Sequence, residues 1–302
     1  MSPSAVVRSC GSTWNADRHL ATLVLRGTLR AIRSRGGASR YSEVVSPTTP
    51  RILAVANQKG GVGKTTAVVN LSASIAALGH RVLVIDLDPQ GNASTGLGID
   101  IRTLEHSVYD VLLHDIPIED AVQSSSVANL FVVPANLDLA GAEIELVPAM
   151  GRETRLRRAV ERVASDYAYV FIDCPPSLGL LTVNALTAAH EVLVPVQCEY
   201  YALEGLAQLL RNIELVNQNL NPTLQVSTIL CQMYDSRTKL SAEVVADVRG
   251  HFGAKVLRTV IPRTVRIAEA PSFGKPVVVL DPSSVGAQAY RAAAKEVVDG
   301  RA

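Results

Sequence analysis

The chain of 302 residues is long enough for one large α/β domain or two small ones, with ample core either way. Hydrophobic residues make up 48% and aromatics only 4%, so the apolar mass is aliphatic, as buried parallel strands and their covering helices require. The net charge of +1 is unevenly spread: seven Arg and two acids lie in residues 1–50, against 22 basic and 26 acidic residues after them, which excludes nucleic-acid binding through overall charge and leaves only a local patch.

Residues 1–50 differ from the rest. They are rich in Ser, Thr, Gly and Arg and end in the linker-like SPTTP. Within them HLATLVLRGTLRAIRSRG has the pattern of a short basic amphipathic helix. Three readings stay open: a disordered extension, which the composition favours; an interaction helix for DNA, lipid or a partner; and an Arg-rich transit peptide. A start codon placed too far upstream also accounts for the segment.

After Arg51 the pattern becomes regular. Aliphatic runs predict strands over 52–57 (ILAVAN), 81–88 (RVLVIDLD), 130–136 (LFVVPAN), 169–175 (YVFIDCP), 191–197 (EVLVPVQ), 225–233 (QVSTILCQM), 255–261 (KVLRTVI) and 276–280 (PVVVL). Helical stretches, among them 64–79, 149–165, 201–219 and 239–252, fall between them. Strand alternating with helix predicts an α/β fold: a mostly parallel, twisted sheet with helices on both faces. Ligands in such sheets bind beyond the carboxyl ends of the strands. No apolar run approaches the roughly 18 residues of a membrane span. Cys10, Cys174, Cys198 and Cys231 are scattered, which argues against a disulfide framework or a zinc site and for small buried thiols in a reducing cytoplasm.

The first strand runs into NQKGGVGKTT, Asn57 to Thr66. A strict phosphate loop reads G-x-x-x-x-G-K-[ST]. Gly63, Lys64 and Thr65 fill its end, but Gln58 stands where the first Gly belongs, and Lys59 adds a second lysine. Strand, Gly-rich turn and helix is nevertheless the context of a phosphate loop. Gly60, Gly61 and Gly63 let successive N–H groups face one anion, and the helix from Lys64 adds its positive end. In such a loop Lys64 contacts the β- and γ-phosphates and Thr65 ligates Mg²⁺. Asp86 and Asp88 close the next strand, two apart and so on one face. They suit a Mg²⁺ shell and an attacking water. Asp173 closes YVFID, a Walker-B arrangement.

K-G-G-V-G-K-T-T, then D-L-D-P-Q-G-N, then D-C-P-P-S resembles the ParA/MinD family of deviant Walker-A P-loop ATPases. Stretches 180–210 and 260–276 look like its chromosomal ParA (Soj) branch, and the resemblance covers about residues 51–299. It implies ATP and Mg²⁺, with Lys59, Gly60, Gly61, Val62, Gly63, Lys64, Thr65 and Thr66 at the phosphates, and Met233, Pro262 and Arg263 near the adenine. It implies that Lys59 of one subunit reaches the phosphates bound by the other, so that two subunits sandwich two ATP molecules. Lys59, Lys64 and Asp88 then serve hydrolysis, Thr65, Asp86, Asp88 and Asp173 the Mg²⁺ neighbourhood. Thr264 departs from the Asn of close relatives.

The resemblance further assigns Arg237 and Arg266 to DNA. With Lys239, Lys255, Arg258, Arg263 and Lys275 they form a basic stretch that would hold phosphate backbones without reading bases. The implied protein is a cytoplasmic, nucleoid-associated partitioning ATPase: an ATP dimer on non-specific double-stranded DNA, released by hydrolysis that a ParB-like centromere-binding protein stimulates. A MinD-like membrane-cycling ATPase is the alternative, but AYRAAAKEVVDGRA lacks bulky apolar residues on one face. An iron–sulfur reductase component needs paired interface cysteines, and a binding module without turnover leaves Asp88 unexplained. The segment before residue 51 is too short and too Gly/Ser-rich for the helix-turn-helix domain of some plasmid relatives.

Overall fold

A computed structural model describes residues 49–199 and 202–300. The extension expected over 1–50, with its amphipathic helix, lies outside the described residues apart from Thr49 and Pro50. Among the described residues seven strands form one sheet: β1 (Arg51–Val55), β2 (Val82–Asp86), β3 (Gln123–Ser124), β4 (Leu130–Val133), β5 (Tyr169–Asp173), β6 (Glu191–Gln197) and β7 (Gln225–Gln232). Their order is β3-β4-β2-β5-β1-β6-β7, and every neighbouring pair is parallel except β3 with β4. The chain leaves β1 toward one edge and later returns past it toward the other. The crevice at such a reversal, beyond the ends of the central strands, is where these sheets take ligands.

The helices are α1 (Lys64–Ala77), α2 (Asn92–Gly96), α3 (Val108–Leu113), α4 (Ile118–Ala121), α5 (Leu139–Glu145), α6 (Arg155–Val163), α7 (Leu180–Ala188), α8 (Ala202–Asn219), α9 (Lys239–Phe252), α10 (Val265–Glu269), α11 (Val277–Leu280) and α12 (Val285–Val298). Strand side chains alternate between two cores. Ile52, Ala54, Leu83, Ile85, Val170 and Ile172 pack on one face with residues of α3, α6, α7, α8 and α9. Leu53, Val55, Val82, Val84 and Phe171 pack on the other with α1, α11 and α12. Each fully buried aliphatic side chain contributes roughly 1.5–3 kcal/mol relative to exposure, so the strand ends that hold the loops are firmly fixed. α1 has no charged residue after Lys64 and is buried along most of its length, as a helix between sheet and outer layer must be.

Two expected strands are not strands. The run 276–280 is a helical turn, α11, despite its three valines. Pro276 starts it, the Asn70 side chain in α1 accepts the Val277 N–H at 2.7 Å, and Val277 and Val278 are buried while Val279 is exposed. Packing against α1 overrides β-propensity in so short a run. The run 255–261 touches β7 at two points, with the Leu257 N–H donating to the Ile229 carbonyl at 3.0 Å beside a bridge at Val256 and the Ile261 N–H donating to the Cys231 carbonyl at 2.9 Å; Pro262 bridges to Tyr234 just beyond β7. Between them the N–H groups of Arg258 and Thr259 donate to the Glu296 carboxylate on α12, at 2.7 and 2.9 Å. A charged acceptor takes the Thr259 donor that a continuous ladder needs between Leu257 and Ile261.

Candidate phosphate-binding site

The loop after β1 is fixed at its start. Asn57 is buried, donates to the Pro195 carbonyl in β6 at 2.7 Å and accepts the Lys59 N–H at 3.0 Å. Gly61 and Gly63 have φ of 72° and 85°, the left-handed region that favours glycine. A Cβ at Gly63 would also stand 3.0 Å from Nε2 of Gln232, so this position is restricted twice over. The Gly63 carbonyl then accepts the Ala67 N–H at 2.8 Å and α1 begins, its first turn free of acidic residues. The result is a concave run of backbone N–H groups at a positive helix end, which is an anion cradle.

The two lysines of the loop differ. Lys64 is buried, and that burial holds its ammonium below the usual lysine range, while Asp173 partly offsets the effect. Lys59 is half-exposed and pairs with Glu199 at 3.4 Å. Glu199 also accepts from the Gln197 amide at 2.6 Å.

The carboxylates differ as well. Asp86 and Asp173 are register partners at the ends of β2 and β5, and both are fully buried. Asp86 does not have the free, loop-facing carboxylate that spacing predicts. Its oxygens accept the Asp88 N–H at 3.2 Å, the Ser94 N–H at 2.8 Å and the Ser94 hydroxyl at 2.7 Å. It caps the short helix α2 instead. Burial pushes its carboxyl up to about 6. Asp173 is pushed well up too, by burial first and by Asp86 second. Among the described residues neither Asp173 oxygen has a well-formed hydrogen bond, and the nearby Thr65 hydroxyl only partly offsets the rise. Asp88, beyond the end of β2, is partly exposed and accepts the Gln90 N–H at 3.0 Å.

Among the described residues no group of three or more His, Cys, Asp or Glu could hold a metal by itself. A Mg²⁺ ion bound with a nucleotide needs no such cage, since phosphate oxygens and waters fill most of its shell. Two orphaned buried oxygens on Asp173 beside the Thr65 hydroxyl fit that chemistry.

Next to the loop lies a cavity of about 570 Å³. Gly63, Thr66, Met233, Pro262 and Arg263 line it, so the structure brings the three adenine candidates to the phosphate loop. Met233 has a φ of 54°, and the Tyr234 N–H donates to the Ile261 carbonyl at 3.0 Å, which holds the two walls together. Arg237 also lines the cavity but points its guanidinium at Asp235, at 2.9 and 2.7 Å. Arg266, on α10, pairs with Glu269 at 3.3 Å and Asp281 at 3.4 Å. Both arginines are exposed.

Sequence reasoning missed three side chains here. The Gln232 amide donates to the Val62 and Gly63 carbonyls, each at 3.1 Å, and accepts from the Tyr290 hydroxyl at 2.8 Å. Glu199 holds Lys59. A polar residue ending the apolar run ILCQ was a signal for Gln232; Tyr290 reads as ordinary core.

A protein-family profile described as an AAA domain matches residues 50–226. The sporulation initiation inhibitor protein Soj of Bacillus subtilis is 56% identical over 247 residues, 82% of this chain and 98% of the relative. The chromosome partitioning protein ParA of Caulobacter vibrioides is 54% identical over 250 residues, 82% and 94% of the two chains. Among solved structures, cobyrinic acid a,c-diamide synthase from Mycobacterium smegmatis, with bound ADP and magnesium, is 44% identical with a TM-score of 0.72, covering 82% of this chain and 94% of that one. The cell division ATPase MinD of Pyrococcus furiosus is 26% identical with a TM-score of 0.69, covering 82% and 98%.

Proposed function

This chain belongs to the ParA/MinD family of ATPases, on its chromosomal ParA (Soj) branch, and from that premise we propose that it partitions DNA through a nucleotide-gated dimer. The observation that supports this most is the two-lysine loop at the end of β1, in a chain 56% identical to Soj over nearly all of that relative. Residues 51–302 form the ATPase domain, and residues 1–50 are an extension to it.

In the proposed reaction the loop N–H groups from Gly60 to Thr66 and the Lys64 ammonium hold the β- and γ-phosphates of ATP. Lys64 is already desolvated, so its charge acts at low effective dielectric. Thr65 and Asp173 hold Mg²⁺, which neutralises phosphate charge when bound. Asp88, partly exposed at the rim, orients the attacking water. The water oxygen bonds to the γ-phosphorus, the bond to the bridging oxygen breaks, and ADP and phosphate leave. The base sits in the 570 Å³ cavity against Met233, Pro262 and Arg263.

Lys59 serves the second subunit. In the single chain Glu199 holds it by a half-exposed pair, an interaction worth at most about 1 kcal/mol. The γ-phosphate of a facing subunit is a better partner. Exposed Leu137 and Leu178, in loops after β4 and β5, and Ile144, Val147 and Met150, on and after α5, offer apolar area for such a contact. The ATP dimer doubles the basic surface around Arg237 and Arg266 and so binds non-specific double-stranded DNA by avidity. A ParB-like centromere-binding protein stimulates hydrolysis, the dimer parts, and DNA is released. The protein works in the cytoplasm on the nucleoid.

Membrane cycling of the MinD kind fits less well. The apolar face of α12 (Ala287, Tyr290, Ala293, Ala294 and Val297) is buried in the core, and no described helix is long and apolar enough to cross a membrane.

Sedimentation with random-sequence DNA, and separately with anionic vesicles, under ATP, ADP or no nucleotide tests the reading. Capture by DNA with ATP alone is expected. Capture by vesicles, or equal DNA capture with ADP, sinks it. A small-molecule synthase, the activity named for the mycobacterial structure, is not expected to be retained on DNA.

A further inference from the structure

A loop that points its N–H groups inward at an anion turns carbonyls outward, and each outward carbonyl needs a donor. In this loop Val62 and Gly63 present such carbonyls, and one side chain serves both. Nε2 of Gln232 lies 3.1 Å from each oxygen, and its two hydrogens match the two acceptors. The other end of the amide, Oε1, accepts the Tyr290 hydroxyl at 2.8 Å. An amide flip would set Oε1 against two carbonyl oxygens, so the contacts fix its orientation. Gln232 is 2% exposed and Tyr290 fully buried, so water does not substitute for either. Burial also raises the Tyr290 phenol, which keeps it a neutral donor.

We propose that Gln232 and Tyr290 are a positioning pair: Gln232 clamps the back of the phosphate loop in its anion-binding shape, and Tyr290 on α12 holds the clamp. The pair joins three elements far apart in the chain. β7 ends at Gln232, α12 carries Tyr290, and the loop closes at Gly63, where a Cβ would meet the Gln232 amide at 3.0 Å. Both side chains also line the 570 Å³ cavity proposed for the base. Base and phosphate sites therefore share one buried hydrogen-bonded hinge. The proposal rests on the reading of this loop as an ATP site.

The test is a double-mutant cycle on ATP binding, read with a fluorescent ATP analogue, beside steady-state hydrolysis and thermal unfolding of the nucleotide-free protein. Tyr290→Phe keeps the ring and removes the donor. It is expected to weaken binding on the order of five-fold, the loss of one buried hydrogen bond, and to raise KM by a like factor with kcat changed less than about two-fold. Gln232→Met keeps the volume without the amide and is expected to cost more. In that background Tyr290→Phe is expected to add nothing, because the tyrosine acts only through the glutamine. Equal effects of Tyr290→Phe in both backgrounds overturn the proposal. So does a lowered unfolding temperature with ATP affinity unchanged, which marks core packing alone. Should Gln232→Met fail to fold, Gln232→Glu replaces it: a buried carboxyl offers at most one O–H donor where the amide offers two, and binding is expected to drop further than with Tyr290→Phe. Wild-type protein that binds no ATP overturns the reading of the loop rather than the pair.

Discussion

The phosphate loop and the basic surface treat charge in opposite ways. Around the loop, charged groups are buried and poorly compensated. Lys64 is desolvated, Asp173 has two unpartnered oxygens, and Asp86 is pushed up to about 6. On the surface the two arginines assigned to DNA by resemblance already have acids: Arg237 has Asp235, and Arg266 has Glu269 and Asp281. The difference teaches how each region meets its ligand. The buried centre is built ahead of time and held by packing, so a ligand relieves it. Arg237 and Arg266 are neutralised ahead of time, so an anion that binds them must displace a resident carboxylate.

The largest effect expected from this contrast is at Lys64. Lys64→Ala removes a preorganised charge from a desolvated site and is expected to lower hydrolysis on the order of 10²–10³-fold. A phosphate-release assay checks it. Loss smaller than that from an exposed Lys59→Ala variant would break the contrast between the two lysines.

Asp173→Asn comes next. It removes a buried, unpaired carboxylate and is expected to abolish the Mg²⁺ dependence of nucleotide binding while raising the unfolding temperature of the free protein. The pH dependence has a defined sign. Asp86 binds a proton more readily folded, at about 6, than unfolded, at 3.8, so folding gains as pH falls through that window, by about 3 kcal/mol in full. Asp173 acts in the same direction. Partly buried His80, whose imidazole is held below its usual range, opposes this gain, so the unfolding temperature of nucleotide-free His80→Gln protein is expected to rise by a few degrees from pH 7.5 to 5.5, and less steeply when Asp173→Asn is added. A falling temperature over that range contradicts the buried-charge account.

The surface gives smaller effects. Arg266→Ala is expected to weaken DNA binding roughly ten-fold and lower the salt slope by about 1. Asp235→Asn frees Arg237 and is expected to strengthen DNA binding by a few-fold, most clearly at low salt. Fluorescence anisotropy across a salt series reads both. No gain from Asp235→Asn would mean that its ion pair does not compete with DNA.

The sequence made the layered sheet and its phosphate loop legible, because both depend on local pattern. The apolar runs over 81–88 and 169–175 marked β2 and β5 within two residues of their bounds, and Gly-Lys-Thr after β1 marked the loop. What stayed hidden depends on contacts distant in sequence. PVVVL is helical because Asn70, over 200 residues earlier, takes the first N–H of its turn. The run 255–261 is not a strand because Glu296 takes the Thr259 N–H, between the Leu257 and Ile261 N–H groups that do reach β7. Asp86 sits where its spacing placed it, yet Ser94 claims its oxygens. Spacing gives position along the chain; it does not give the partner.

The interrupted run beside β7 has a consequence for how these molecules coexist. β7 is one margin of the sheet, and a bare parallel margin is a template on which another chain can add a strand. Here residues 256–261 lie along it, with the Leu257 and Ile261 N–H groups donating to β7 carbonyls but no continuous ladder between them. The opposite margin is β3, only two residues long. Both ends of the sheet are thus blunted against strand addition. Copies of this protein can then crowd together without their sheets fusing into fibres.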